Sequence, residues 1–242
     1  MPSIRFGQYE IVSTWVAALL AVVGISLFVA LGQWQWQRAE EKSGMLRLYN
    51  ERMQEDSIFW HSGEALPLQY QGRLFTGSYK QPVFLLDNQY FQHQWGYHVL
   101  SPFWLNKHTV VMVDRGWVEG DALRQVLPKI ATPVGRQRLK GRVYYPSVNR
   151  WIKQESLSPV KAGKIVIEQF SAKLLLQVLQ QDVLPFIIRL DPTEPNGFSR
   201  SWQIVSMPPE RHIAYAVQWF AFALLVVVIY VGLHFRRHYT NE

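Results

Sequence analysis

The sequence predicts a membrane protein in which two transmembrane helices flank a mainly antiparallel β domain, a barrel or a sandwich of α+β type. Three observations carry this prediction. Uncharged apolar runs occupy residues 11–31 and 213–233 of the 242, and at about 1.5 Å per residue each can cross roughly 30 Å of hydrocarbon. The polar segment between them is long enough to bury one core. Within it, short runs of β-branched and aromatic residues alternate with Gly, Pro, Asn and Asp.

The elements follow in order. Residues 1–10 form a short tail and 11–33 the first span. Ala30-Leu31-Gly32 would pass as a cleavage site, but the apolar run exceeds the roughly 7–15 residues of a signal core and little positive charge precedes it, so a retained anchor is expected. A central domain over 34–211 carries expected strands at 68–75, 83–87, 97–105, 110–114, 136–145, 186–190 and 202–205. Residues 170–181 have helical length and lack Gly and Pro, while 156–164 and 191–197 have loop composition. The second span covers 212–234, and 235–242 form a tail.

Flanking charge gives the orientation. Arg236, Arg237 and His238 follow the second span and Arg5 precedes the first, so both termini are expected in the cytoplasm of a bacterium, with the central domain in the periplasm and the spans in the inner membrane. The chain has no cysteine, so it makes no disulfide and offers no thiolate for redox or metal chemistry. Its net charge of +7 comes without a recognition helix or stacking motif, which points away from nucleic acid and toward anionic lipid or an acidic partner.

No Gly-x-Ser-x-Gly elbow, His-Glu-x-x-His, phosphate-cradling glycine loop or Cys-x-x-Cys-His is present, so nothing points to an enzyme. His93 and His98 would meet a metal only with ligands from elsewhere, and the scattered Met residues do not suit copper. The alternation of Arg136, Arg138, Lys140 and Arg142 gives one strand a basic face, expected to be solvated or to guard an edge. Arg115, in Asp114-Arg115-Gly116-Trp117-Val118, ends a strand; pairing with Asp114, Asp87 or Glu119 and contact with a partner are both open to it. Gly116 suits a bulge or a close backbone approach.

The span edges are more distinctive. At about 100° per residue, His212, Tyr215, Ala216, Trp219, Ala223 and Tyr230 share one helix face. Trp34, Arg38 and Lys42 repeat at i, i+4, i+8 beyond the first span, an aromatic below two cations, with Gln33, Gln35, Trp36 and Gln37 completing a collar.

GQWQWQRAEEK at 32–42, GYHVLSPF at 96–103, DRGWV at 114–118 and HIAYAVQWFAFA at 212–223 resemble, in this order, the surfeit-locus family of cytochrome c oxidase assembly proteins. The chain departs from that pattern at Asp114, Glu119 and Arg211, and around Trp151. The resemblance implies an assembly factor that helps haem a reach subunit I of the oxidase, with subunit I and other assembly factors as partners. On that reading haem a is a possible, transient cofactor. His212 would then be the iron ligand and the only metal-binding residue, Tyr215 and Trp219 would line the ring slot, and Arg38 and Lys42 would hold propionates or an acidic loop. Trp34, Gln35, Arg115 and Trp117 would meet partners. The plainer alternative makes His212, Tyr215 and Trp219 interfacial anchors and Arg38 and Lys42 a headgroup-facing stripe, in a scaffold or accessory subunit without a cofactor. A tethered periplasmic sensor or hydrolase is a third class; the tails are short for a sensor, and no nucleophile with a base marks a hydrolase.

Overall fold

A computed structural model of the chain describes residues 3–6, 9–12, 14–147, 161 and 163–237. They fall into two compact units, one of residues 1–47 with 204–242 and one of residues 48–203. Trp151 and most of the expected loop at 156–164 lie outside the described residues.

The first unit holds the spans. Helix α1, Trp15–Gln54, runs for 40 residues, about twice the hydrocarbon thickness at 1.5 Å per residue. Its apolar half therefore spans and its polar half projects beyond. Helix α3, Pro209–His234, is the second apolar helix long enough to cross. Val16, Leu19, Leu20 and Val23 of α1 and Leu224, Leu225 and Val228 of α3 are exposed, as side chains facing lipid would be. The tails pair, which the sequence did not suggest: β1, Ser3–Phe6, β2, Tyr9–Val12, and β11, Phe235–Arg237, form a three-stranded antiparallel sheet.

The second unit is the β domain. Its sheet runs β3 (Ile58–Phe59), β4 (Gly72–Tyr79), β8 (Gln137–Tyr144), β10 (Asp182–Leu190), β7 (Thr109–Glu119), β6 (Gln94–Trp104), β5 (Val83–Phe91) and β9 (Lys164–Ile167). Strand β4 also pairs with β6, at Ser78 with Trp104 and Tyr79 with Phe103. That bond closes β4, β8, β10, β7 and β6 into a small barrel, so of the two expected architectures the barrel is the one built. Pairing is mainly antiparallel, with parallel exceptions at β7 with β10, β5 with β9 and β3 with β4. Phe75, Phe103, Val111, Val113, Leu139, Val143, Phe186 and Ile188 fill one core. Helix α2, Ala172–Leu179, begins at Ser171, whose hydroxyl accepts from the Leu174 amide, and buries Leu175 in a second core with Phe84, Leu100 and Met112.

Two expectations about this domain are corrected. Residues 202–205 form no strand; the Trp202 indole donates to the Leu190 carbonyl at 3.2 Å, so its apolar character serves side-chain packing. The basic face of β8 and its approach is solvated, one of the two expected roles, with Arg136 and Arg138 exposed, but the strand does not guard an edge, because β4 and β10 flank it. Its basic residues are occupied: Arg142 donates to the Arg52 and Tyr70 carbonyls, Arg138 lies over the Phe59 ring and Lys140 faces Asp191 at 4.0 Å.

Candidate functional site

The face of α3 that the sequence marked is largely the seam between the two spans. His212, in the first turn of α3, is 8% exposed, and Ala216 and Ala223 further along are buried too. His212 Nδ1 lies 2.8 Å from Oε1 of Gln35 on α1. Deeper in, Trp219 stacks on Phe28 of α1 with ring centroids 5.8 Å apart and planes at 19°, and Phe222 packs against both. Gly32 sits between these layers. A Cβ there would lie 2.5 Å from the Phe220 ring, so only glycine lets that ring meet the α1 backbone. Tyr215 points off the seam and is half exposed. Tyr230 packs against His234, 4.7 Å between centroids.

The chemistry of His212 suits an iron ligand. The Gln35 amide oxygen is placed to accept from Nδ1–H of the neutral ring, the tautomer that leaves a lone pair on Nε2. Holding one ring nitrogen so that the other is presented is how protein scaffolds orient metal-binding histidines. One face of the Trp219 ring rests on Phe28.

The cations of α1 lie together beyond the apolar stretch, as their spacing implies. The Arg38 guanidinium is 6.0 Å from the Trp34 ring centroid, and Arg38 and Lys42 share Glu41, at 2.8 and 3.7 Å. Arg38 remains about half exposed and thus open to an anionic group. On another face of α1, Trp36, Ala39, Glu40, Ser43, Gly44 and Arg47 line a groove of about 520 Å³, with Ile213 of α3 at its edge. Its floor is made of small residues, a feature that periodicity in hydrophobicity does not reveal.

Arg115 and Trp117 belong to the interior of the β domain. Arg115 is 2% exposed, and its Nε donates to the Asn196 carbonyl at 2.7 Å and its Nη1 to the Ala131 carbonyl at 2.9 Å. Its guanidinium also lies 5.5 Å from the Tyr79 ring centroid and 4.9 Å from that of Phe198. Burial lowers its pKa from the ordinary guanidinium value and pushes that of the Tyr79 phenol up to about 12. The acids expected beside it have other partners: Asp87 pairs with Arg124 at 2.8 Å, and Asp114 holds His98 Nδ1 at 2.9 Å and accepts from the Gly116 amide. Trp117 is also buried, its indole donating to the Gln89 carbonyl at 3.0 Å. Both residues are thus largely enclosed, Arg115 at 2% and Trp117 at 7% exposed. Gly116 has φ +108°, and a Cβ there would lie 2.6 Å from the Ser199 carbonyl oxygen, the close approach that its position suggested.

None of the curated proteins compared with the chain matches it. A family model, that of the SURF1 family, matches residues 22–224, which takes in both spans' seam, the Gln35–His212 bond and the whole β domain. With two apolar helices that precede and follow a small β barrel in the chain, and a match over most of its length, the chain belongs to the SURF1 family, whose members are cytochrome c oxidase assembly factors.

Proposed function

We propose that this protein assists cytochrome c oxidase assembly by holding haem a where the spans leave the membrane, for insertion into subunit I. The observation that carries the reading is the Gln35–His212 hydrogen bond, which fixes one imidazole nitrogen and leaves the other for iron. The haem would supply an iron that accepts the Nε2 lone pair and carboxylates that accept from cations. His212 would hold the iron, Tyr215 offers an open ring face one turn away, and Arg38, Lys42 and Arg211 are the cations available to carboxylates. No catalytic step is assigned to the protein itself. The charge flanking the spans supports an inner-membrane protein with cytoplasmic termini and a periplasmic β domain.

The test is the absorption spectrum of the full-length protein purified in detergent from cells that make haem a. The parent should carry a haem spectrum that His212→Ala loses. A parent that copurifies with no haem under these conditions, and binds none when haem a is added, would sink the reading.

A second reading is favoured by a separate observation. The Phe28–Trp219 stack and the glycine-mediated approach of Phe220 make the same face a helix-packing seam, as a cofactor-free scaffold would need. That reading expects His212→Ala to lower the amount of protein in the membrane without any change of haem per protein.

A further inference from the structure

Arg189, on β10, stands apart from the other interior cations of the β domain. Arg115 and Arg142 donate to carbonyls, and Arg73, whose Nε is also without a partner, donates through Nη2 to the Gln71 side chain. Arg189 has its guanidinium carbon 3.6 Å from the Tyr144 ring centroid and 5.3 Å from that of Trp202. Its Nε and Nη1 are sealed from solvent, and neither has a hydrogen-bond partner. Buried N–H groups without acceptors, on a charged group most of all, are unfavourable enough that folds rarely keep them unless something else supplies the acceptor.

The surroundings indicate what that is. Arg189 lines two cavities, of about 440 and 260 Å³, and shares the wall between them with His98 and Gln89. His98 is oriented by Asp114 through Nδ1 and packs against Trp202, 5.6 Å between ring centroids. The smaller cavity includes Asp114 and Glu168, which repel an anion. The larger has no acidic side chain in its lining; Trp117, Trp202 and Tyr90 offer ring surface and Gln89, Ser199 and Ser201 offer polar groups. A single guanidinium matches a single negative charge, and its planar fork matches a carboxylate. A cavity of this size accepts a small organic body beside the charged group.

We infer that the larger cavity is a carboxylate-binding site, in which Arg189 takes the carboxylate and Trp117 and Trp202 pack against an apolar or aromatic body. The carboxylate has two possible sources, a free organic acid and the carboxyl terminus of a peptide chain. Neither source depends on the haem reading, because the site uses none of the residues assigned to it.

The experiment titrates the full-length protein in detergent, following tryptophan fluorescence, with phenylacetate, its neutral isostere phenylacetamide, inorganic phosphate, and an acetylated Ala-Ala-Phe peptide with a free or an amidated carboxyl terminus. The expected result is saturable binding of phenylacetate or of the free-acid peptide, about ten-fold or more tighter than its amide and tighter than phosphate. Tighter binding by phenylacetate identifies a free acid as the source, and tighter binding by the peptide a chain terminus. Arg189→Met, which keeps bulk between the two rings and removes the charge, should abolish the preference for acid over amide. If that variant does not fold by near-ultraviolet circular dichroism, Arg189→Lys should weaken binding about ten-fold through loss of the planar fork. Equal binding of acids and amides by the parent, tighter binding of phosphate, no saturable binding, or a preference unaltered in a folded Arg189 variant would each overturn the inference.

Discussion

Gln35 on one span and His212 on the other are joined by a 2.8 Å hydrogen bond between side chains, in a chain where they stand 177 positions apart. A bond of this kind between membrane helices is worth about 1 kcal/mol, too little to explain a histidine at a helix seam by stability alone. Its stronger effect is on the ring: it sets which nitrogen carries the proton and which way the other points. Gln35→Leu should therefore weaken haem binding by the purified protein roughly ten-fold, in line with the loss of a group that orients a metal-binding histidine. His212→Ala should abolish it. Haem titration of both variants in detergent checks this, and equal affinity for Gln35→Leu and the parent would show that Gln35 ties the helices and does nothing for the ring.

Trp219 makes the opposite kind of contact, an apolar stack on Phe28. Trp219→Ala should destabilise the spans by about 1–3 kcal/mol, and Trp219→Phe by less, since a ring face is retained. In a double-mutant cycle with Phe28→Ala the two effects should couple by about 0.5–1.5 kcal/mol. Thermal melting in detergent supplies the four values. Additive effects would mean that the two rings do not support one another.

Gly32 tests the same seam from its backbone. A side chain there would overlap the Phe220 ring, whose nearest atom would be 2.5 Å from the new Cβ. Gly32→Val should push the helices apart and lower both the melting temperature and the amount of protein in the membrane. Phe220→Ala in the same chain should restore much of the loss by making room. A double variant no better than Gly32→Val alone would point to some other role for the glycine.

Sequence periodicity reached the elements more readily than the partners. The spans, six of the seven expected strands and helix α2 were legible because each carries its own pattern of polarity and its own turn or cap residues. The pairing of β4 with β6 that closes the barrel was not, since register depends on contacts far apart in the chain. Strand β9, Lys164–Ile167, is only four residues long and follows a stretch with loop composition. The marked face of α3 was correctly grouped, yet periodicity cannot say whether such a face meets lipid, cofactor or a second helix, and most of it meets α1. The side chains buried around Arg115 were missed for a similar reason: its acceptors are the carbonyls of Asn196 and Ala131, and every residue type has a carbonyl. The His98–Asp114 pair depends on a register shift between β6 and β7, which no local pattern announces.

Arg115 and Arg38 look alike in sequence, each an arginine beside a tryptophan-containing motif and an acid, but the structure assigns them different energetics. Arg38 is half exposed and pairs with Glu41 one turn along its own helix, so Arg38→Ala should change stability by no more than about 0.5 kcal/mol. Arg115 is enclosed, and its removal would strand two carbonyls and leave a gap between Tyr79 and Phe198. Arg115→Ala should cost about 2–4 kcal/mol, and Arg115→Lys nearly as much, because an ammonium cannot span both acceptors and stack between the rings. For a domain of this size that amounts to roughly 2–4 °C of melting temperature per kcal/mol. Differential scanning of the full-length protein in detergent measures the shifts, and oxidase association can be followed on the same samples by copurification. If Arg115→Ala melts with the parent and only copurification is lost, the residue reaches a partner after all and its burial in the isolated chain misleads.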